Sequence, residues 1–343
     1  MRRLKILATA LLVSASGVRA DVPNVVVDIP PVFSLVSSVM QGVGTPKLLL
    51  RGNESPHNFA LRPSQRRDLG QADIIFWIGE GLTPWLEKAQ ASLTQTPISV
   101  ALGEQTGVVQ LSFREGAFFE NHGDHDDHDD HDGRGEVNGH TEHNRAETHE
   151  NAAAHDGKDH QDHAGHDHAG LDPHFWLDPQ NAIHWIYTIA DILSQKDPEN
   201  AGAYYANATR TKASLELLNK NIAQQLAPHR AERFLIVHDA FQYFEARFGL
   251  AAQGAISDGH AAPPSAARIL AIRKLMQDQK ISCVFAEPGY NAKLLDNLIS
   301  ETSVRLKQLD PLGAGLPLDH TLYEAVLQNM ADTMVACFTN NEG

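Results

Sequence analysis

Residues 234–249 read FLIVHDAFQYFEARFG. A short apolar run ends in His238, and a helical pattern opens just beyond it. The run predicts a strand over 233–237 and the pattern a helix over 240–248, which together make one βα unit. The same rhythm extends in both directions. Upstream, strands are expected at 24–29, 47–50, 72–78 (ADIIFWI) and 98–102. Helices fit 31–41, 64–70 and 83–91 between them. Downstream, strands are expected at 250–256, 281–285 and 304–309, with helices at 265–279, 292–302 and 321–338. Apolar runs alternating with helices point to an α/β chain with mostly parallel sheets. In the middle, Asp178-Pro179 and Asp197-Pro198 start two more helices, since proline suits the first helical turn. The first runs to about Leu193 and the second to about Leu226. The second is long enough to connect two lobes, although a core helix of one lobe is the plainer alternative. The two halves share the βα rhythm without a sequence repeat. Gly42, Gly44, Gly79 and Gly81 open no phosphate-cradling pattern, so nucleotide binding has weak support.

The ends bound the compartment. Arg2, Arg3 and Lys5 precede the apolar stretch ILATALLVSA, and Val18-Arg19-Ala20 suits cleavage. This is a secretory leader over 1–20, giving an exported, periplasmic chain that starts at Asp21. The stretch is too short to span a membrane. Two cysteines, Cys283 and Cys337, in an exported chain read as one structural disulfide. Two free buried thiols are the rival, and a zinc site lacks the close C-x-x-C spacing.

Between the halves lies a segment of another kind. Residues 121–170 contain fourteen Asp or Glu, three basic residues and twelve of the nineteen histidines. Few apolar side chains interrupt it, so disorder is expected over 119–170. The formal charge of the chain is −15, and this segment supplies −11 of it. That balance disfavours nucleic acid or anionic membrane as partners. Solvation explains the carboxylates but gives no reason to choose imidazole. Imidazole beside carboxylate is a ligand set for borderline divalent metals. His122, His125, His128, His131, His140, His143, His149, His155, His160, His163, His166 and His168 are therefore candidate weak, exchangeable metal ligands.

Seven histidines lie outside that segment. His57 sits in GNESPH after the apolar run KLLL, His174 in the turn-rich LDPHFWLDP, and His238 at the end of FLIVH. The carboxyl ends of strands are where open α/β sheets bind ligands. A lone histidine there more often serves packing, so position alone does not decide the matter. His184, His229 and His320 fall in expected helices or turns and are assigned no metal role. His260 lies in a Gly- and Pro-containing loop that could face a cleft.

Several separated motifs sharpen this reading. SPHNFALRPSQRRDLGQADIIFWIG, DPHFWLDP, FLIVHDAFQYFEARFG, VFAEPGYN and LDPLG occur in that order. They resemble the metal receptors of ABC importers in the cluster A-I solute-binding family, and within it the high-affinity periplasmic zinc receptors of Gram-negative bacteria. The resemblance runs from about Asn24 to Phe338, and the His- and Asp-rich insertion falls where that family carries a charged loop. It implies two Rossmann-like βα lobes joined by a long helix, with metal in the interlobe cleft. The expected division is leader 1–20, N-terminal lobe 21–197, connecting helix 198–228 and C-terminal lobe 229–343. Carried over, His57 and His174 are ligands from the first lobe and His238 from the second. Three imidazoles suit Zn²⁺, whereas the manganese receptors mix histidine with carboxylates.

The fourth ligand stays open. Pro56 stands where some of these receptors have glutamate, and Glu54 is near but not at the matching place. Asp310, water and a loop histidine are the candidates. Glu287 is a candidate outer partner orienting an imidazole, with capping or lobe packing as its alternative. The spacing of Cys283 and Cys337 is also similar to the family's disulfide. The implied cargo is Zn²⁺ and the implied partner a zinc permease. A periplasmic zinc chaperone is a candidate second partner, and a monomer is expected. The rivals are a zinc hydrolase, a periplasmic metal buffer working through its loop, and a Mn²⁺ or Ni²⁺ receptor. No H-E-x-x-H helix or nucleophile elbow supports the hydrolase.

Overall fold

The structure is a computed structural model. It describes residues 22–51, 54–114, 118–119, 170–257, 264–290, 292–300 and 302–340. The leader, the twelve histidines of 121–170 and His260 lie outside the described residues.

Two four-stranded parallel sheets form the frame. The first contains β1 (Val25–Val27), β2 (Lys47–Leu48), β3 (Ile74–Trp77) and β4 (Ile98–Ala101) in the order β2-β1-β3-β4. The second contains β5 (Phe234–His238), β6 (Ala255–Ser257), β7 (Cys283–Ala286) and β8 (Arg305–Gln308) in the order β6-β5-β7-β8. The two orders are equivalent, so the halves repeat in topology although not in sequence. In both sheets the winding direction reverses beside the first strand, the place where open α/β sheets bind ligands.

Helices cover both faces. α1 (Pro30–Val39), α2 (Pro63–Gly70) and α3 (Pro84–Gln90) belong to the first half. α4 (Pro179–Lys196) and α5 (Ala201–Leu226) lie between the sheets in sequence. α6 (Gln242–Phe248), α7 (Ala266–Asp278), α8 (Ala292–Ile299) and α9 (Leu322–Phe338) belong to the second half. Pro30, Pro63, Pro84 and Pro179 each open a helix, where a missing N–H costs nothing. Among the named strands, all but one lie within two residues, at both ends, of where the apolar runs put them. β6 starts at Ala255, five residues later than expected, because Leu250 and Ala252 pack into the core from coil.

Strand alternation divides the apolar side chains among three cores. Val25 and Val27 of β1 face the same large cluster as Phe234 and Ile236 of β5. Helices α1, α4, α5 and α9 fill the space between them. Val26 faces a small core beneath α2 and α3, and Leu235 and Val237 face another beneath α7 and α8. Each lobe thus has a private core on its outer face, and the two share one on the inner face. α5 is accordingly both connector and core helix: Tyr204, Leu215, Leu218, Ile222 and Leu226 form one buried stripe along it. α9 packs on α1 and α5 as well as on β8. Cys283 and Cys337 form a disulfide that joins β7 to the end of α9, with Cα atoms 6.3 Å apart. Reading the two cysteines as a structural bridge holds.

Two predictions follow from this frame. The disulfide closes a loop with a sequence separation of 54 residues, and closure of such a loop in the unfolded chain corresponds to about 4 kcal/mol. The double variant Cys283→Ser/Cys337→Ser should therefore lower the urea midpoint by an amount equivalent to roughly 2–4 kcal/mol. Asp28, at the end of β1, accepts the Ile29 and Ile78 N–H groups at 2.8 Å each. Burial nevertheless pushes its carboxyl up to about 7, against those hydrogen bonds. The folded chain then binds a proton that the unfolded chain releases near pH 3.8. This group's contribution to stability falls as pH rises through that window. Denaturant titrations from pH 8 to pH 5 should show a gain in stability for the parent that Asp28→Asn lacks.

Candidate metal centre

Each candidate imidazole is held by a different local device. His238 is the last residue of β5, and its side chain is buried. Its Nδ1 donates to Glu287 Oε2 at 2.7 Å. Glu287 immediately follows β7, the neighbour of β5, so adjacent strand ends supply both members of the pair. His174 sits in the turn ahead of α4. Asp172 Oδ1 accepts both its backbone N–H, at 3.0 Å, and its Nδ1–H, at 2.6 Å. Pro173 between them limits the turn's freedom. The chain then makes a short 3₁₀ turn over Phe175–Leu177, and Asp178 caps α4 by accepting the Gln180 N–H at 2.8 Å. Gly103 allows Phe175 to pack so close: a Cβ there would meet the Phe175 ring at 2.4 Å.

His57 lies in coil nine residues beyond β2 and is half-buried. Its turn is fixed from behind, where Trp85 Nε1 donates to Pro56 O at 2.7 Å and Phe59 packs on the Trp85 ring. The three rings converge. Ring centroids are 5.6 Å apart for His57–His174 and for His57–His238, and 5.1 Å for His174–His238. One nitrogen from each lies within 4.8 Å of the others. Two nitrogens bound to one tetrahedral zinc at about 2.0–2.1 Å are about 3.4 Å apart, so small side-chain movements complete such a site. With Nδ1 of His174 and His238 donating to carboxylates, Nε2 of each carries the lone pair. That is the tautomer a metal requires, and the carboxylates make the imidazoles more basic.

The rings face a cleft of about 220 Å³ that is also lined by Glu54, Trp176, Glu287, Tyr290 and Asp310. Burial alone would raise the Glu287 carboxyl. Electrostatic attraction to His238, the hydrogen bond to it and a contribution from His174 take it below its ordinary value instead. At Asp172 burial wins: it pushes the carboxyl up to about 7, against the His174 N–H and attraction to Arg114 and His238.

Two sequence expectations separate here. Glu287 is in contact with His238, as an orienting partner would be. Asp310 lines the cleft but stands outside the group of three. Its carboxylate instead accepts the N–H groups of Leu312, Gly313 and Ala314 at 3.1, 2.8 and 2.6 Å. Those bonds shape a turn that presents Pro311 O to Trp176 Nε1 at 2.8 Å. Gly313 has a φ of 71°, and a Cβ there would meet Val326 at 2.7 Å. Glu54 is engaged with Arg62. His184 and His320 are exposed and His229 packs near Phe338, all away from the cluster. Asp172 was not singled out in the sequence, although its place two residues before a histidine in LDPH was the available signal.

The chain is similar to known proteins over most of its length. A family model described as the periplasmic zinc-uptake complex component A, ZnuA, matches residues 25–337. The chain belongs to this family. The high-affinity zinc uptake system protein ZnuA of Brucella suis is 42% identical over 335 residues, covering 97% of each chain. That of Paracoccus denitrificans is 43% identical over 333 residues, again covering 97% of each. Among solved structures, a zinc-bound deletion mutant of ZnuA superposes with a TM-score of 0.68 at 22% identity, covering 92% of this chain and 98% of that one. The periplasmic zinc-binding protein TroA of Treponema pallidum gives 0.67 at 17% identity, covering 92% and 98%. These two share the fold of two parallel-sheet lobes.

If the carboxylates set the imidazoles, removing one acceptor oxygen should be felt at the metal. Asp172→Asn and Glu287→Gln should each weaken zinc binding about 10–100-fold, with little loss of thermal stability in the metal-free protein. Competition against a chromophoric chelator measures this. Unchanged affinity in both variants would remove the orienting role.

Proposed function

We propose that this chain is the periplasmic receptor of a zinc importer of the ABC class. It captures Zn²⁺ in the interlobe cleft and delivers it to a membrane permease. The observation that carries this reading is the convergence of three imidazoles from three separate segments, two of them oriented by buried or half-buried carboxylates. Nε2 of His174 and His238 and a nitrogen of His57 form the protein's share of the site, and water takes the fourth position. An all-imidazole set favours zinc over manganese, which prefers carboxylate. The chain works by binding and release, not catalysis. A hydrolytic zinc centre needs a base beside the metal-bound water. Here Glu287 faces an imidazole N–H and Asp310 faces three backbone N–H groups.

Other parts of the reading rest on sequence. The leader is removed after Ala20, and the chain acts as a monomer, with a zinc chaperone as a further partner. The His-rich segment collects zinc at weak sites and raises its local concentration near the receptor. The family's membership and the zinc uptake named for its relatives support the transport assignment.

The test is a chelator-competition titration of the mature protein. The parent should show one tight Zn²⁺ site that a large excess of Mn²⁺ does not displace, plus several weak ones. His57→Ala, His174→Ala and His238→Ala should each abolish the tight site and leave the weak ones. Affinity should fall as pH drops below about 6.5, where imidazole protonates. A tight site that survives all three substitutions would make the His-rich segment the principal binder and the chain a buffer.

A further inference from the structure

We propose that Arg114 is a positioning residue for the cleft site, tying the turn that carries His174 to the backbone that carries His238. This inference rests on the zinc-receptor reading above. Arg114 lies on a strap that leaves the first sheet after β4 and crosses to the second half. Along the way Val109 N–H donates to Asn181 Oδ1 at 2.8 Å, on α4. Leu111 N–H donates to the Tyr243 hydroxyl at 2.9 Å, on α6. Phe119 N–H donates to Gln253 O at 3.1 Å, just ahead of β6.

The strap also holds the segment that leads into His174. Phe113 N–H donates to Gly170 O at 2.7 Å and Asp172 N–H to Leu111 O at 2.8 Å, around an antiparallel bridge between Ser112 and Leu171. Asp172 is the carboxylate that receives the His174 N–H groups. The position of Asp172, and through it the His174 ring, is therefore set by where the strap lies.

Arg114 decides where the strap lies. Its guanidinium reaches across to two buried carboxylates of the second half. Nε donates to Asp239 at 3.1 and 3.2 Å, and the terminal nitrogens reach Glu245 at 2.8 and 3.1 Å and Asp239 again. Side-chain exposure is 17% for Arg114 and 3% for each carboxylate. The Phe119 ring covers the other side of the guanidinium, 3.8 Å from its carbon. Asp239 is the residue after His238. One planar fork therefore links the strap holding His174's partner directly to the chain at His238. A lysine has the charge but not the fork. Without either charge, two buried carboxylates are left together and repel each other.

The experiment uses the full mature chain with one equivalent of Co²⁺ as a spectroscopic substitute, and with Zn²⁺ for release into excess chelator. Arg114→Ala should release zinc about tenfold faster or more, the scale at which outer partners act on metal sites. It should also change the Co²⁺ d–d spectrum, and Arg114→Lys should restore both in part. Ile272→Ala, in the private core beneath α7, is the control for lost stability alone and should keep the parent's spectrum and release rate. An Arg114→Ala protein that matches Ile272→Ala in both readouts, while His57→Ala abolishes the spectrum, overturns the role of Arg114 and leaves the receptor reading intact. Should Arg114→Ala not fold, Arg114→Lys carries the same test, and equality with Ile272→Ala overturns the proposal. A parent spectrum unaffected by His57→Ala defeats the receptor reading and this inference together.

Discussion

The apolar core shared by the two sheets is the constraint on which the rest depends. It runs from β1 through α1, α4, α5 and α9 to β5 without interruption among the described residues. Hinged lobes separated by a thin linker would bury little between them. Here Trp176, Trp185, Tyr204, Phe241 and Tyr323 all lie inside the shared cluster with 1% exposure or less. Parting the lobes widely would expose many such side chains, each worth about 1.5–3 kcal/mol or more when buried. The cleft is thus held near one width, and small movements of turns and side chains are the available response to an ion.

On that frame the polar groups do the fine positioning. β5 and β7 are neighbours, so their carboxyl ends bring His238 and Glu287 together. The His174 turn is reached from several directions at once. Asp172 holds its ring, Tyr243 donates to Asp172 O at 2.9 Å, Tyr323 donates to Trp176 O at 2.7 Å, and Arg247 pairs with Asp178 at 2.6 Å. All three outside partners come from the second half, so the His174 turn is held largely by second-half side chains. His57 alone stands on a turn braced within its own half, by Trp85. It is also the most exposed of the three imidazoles.

Much of this was legible in the sequence because parallel strands buried on both faces read as plain apolar runs. ADIIFWI and FLIVH needed no context to be recognised, and Asp178-Pro179 marked the start of α4. Position suggested His57, His174 and His238, but only the family resemblance separated them from ordinary core histidines. What stayed hidden depended on long-range geometry. The family resemblance made the LDPLG aspartate a candidate fourth ligand, and its carboxylate accepts three backbone N–H groups. Nothing in the sequence marked Arg114. Its partners lie 125 and 131 residues away, across the lobe boundary, and no local pattern announces such a pair. The sharing of the core between lobes was equally invisible, since the apolar pattern of α5 does not say which sheets it covers.

The central claim is that three imidazoles held in the cleft bind one zinc ion. X-ray absorption at the zinc edge, on mature protein lacking residues 120–169 and loaded with one equivalent of Zn²⁺, tests it most directly. A four-coordinate ion with three imidazole nitrogens at about 2.0–2.1 Å and one further light atom is expected. A first shell of carboxylate oxygens with one imidazole or none would contradict it.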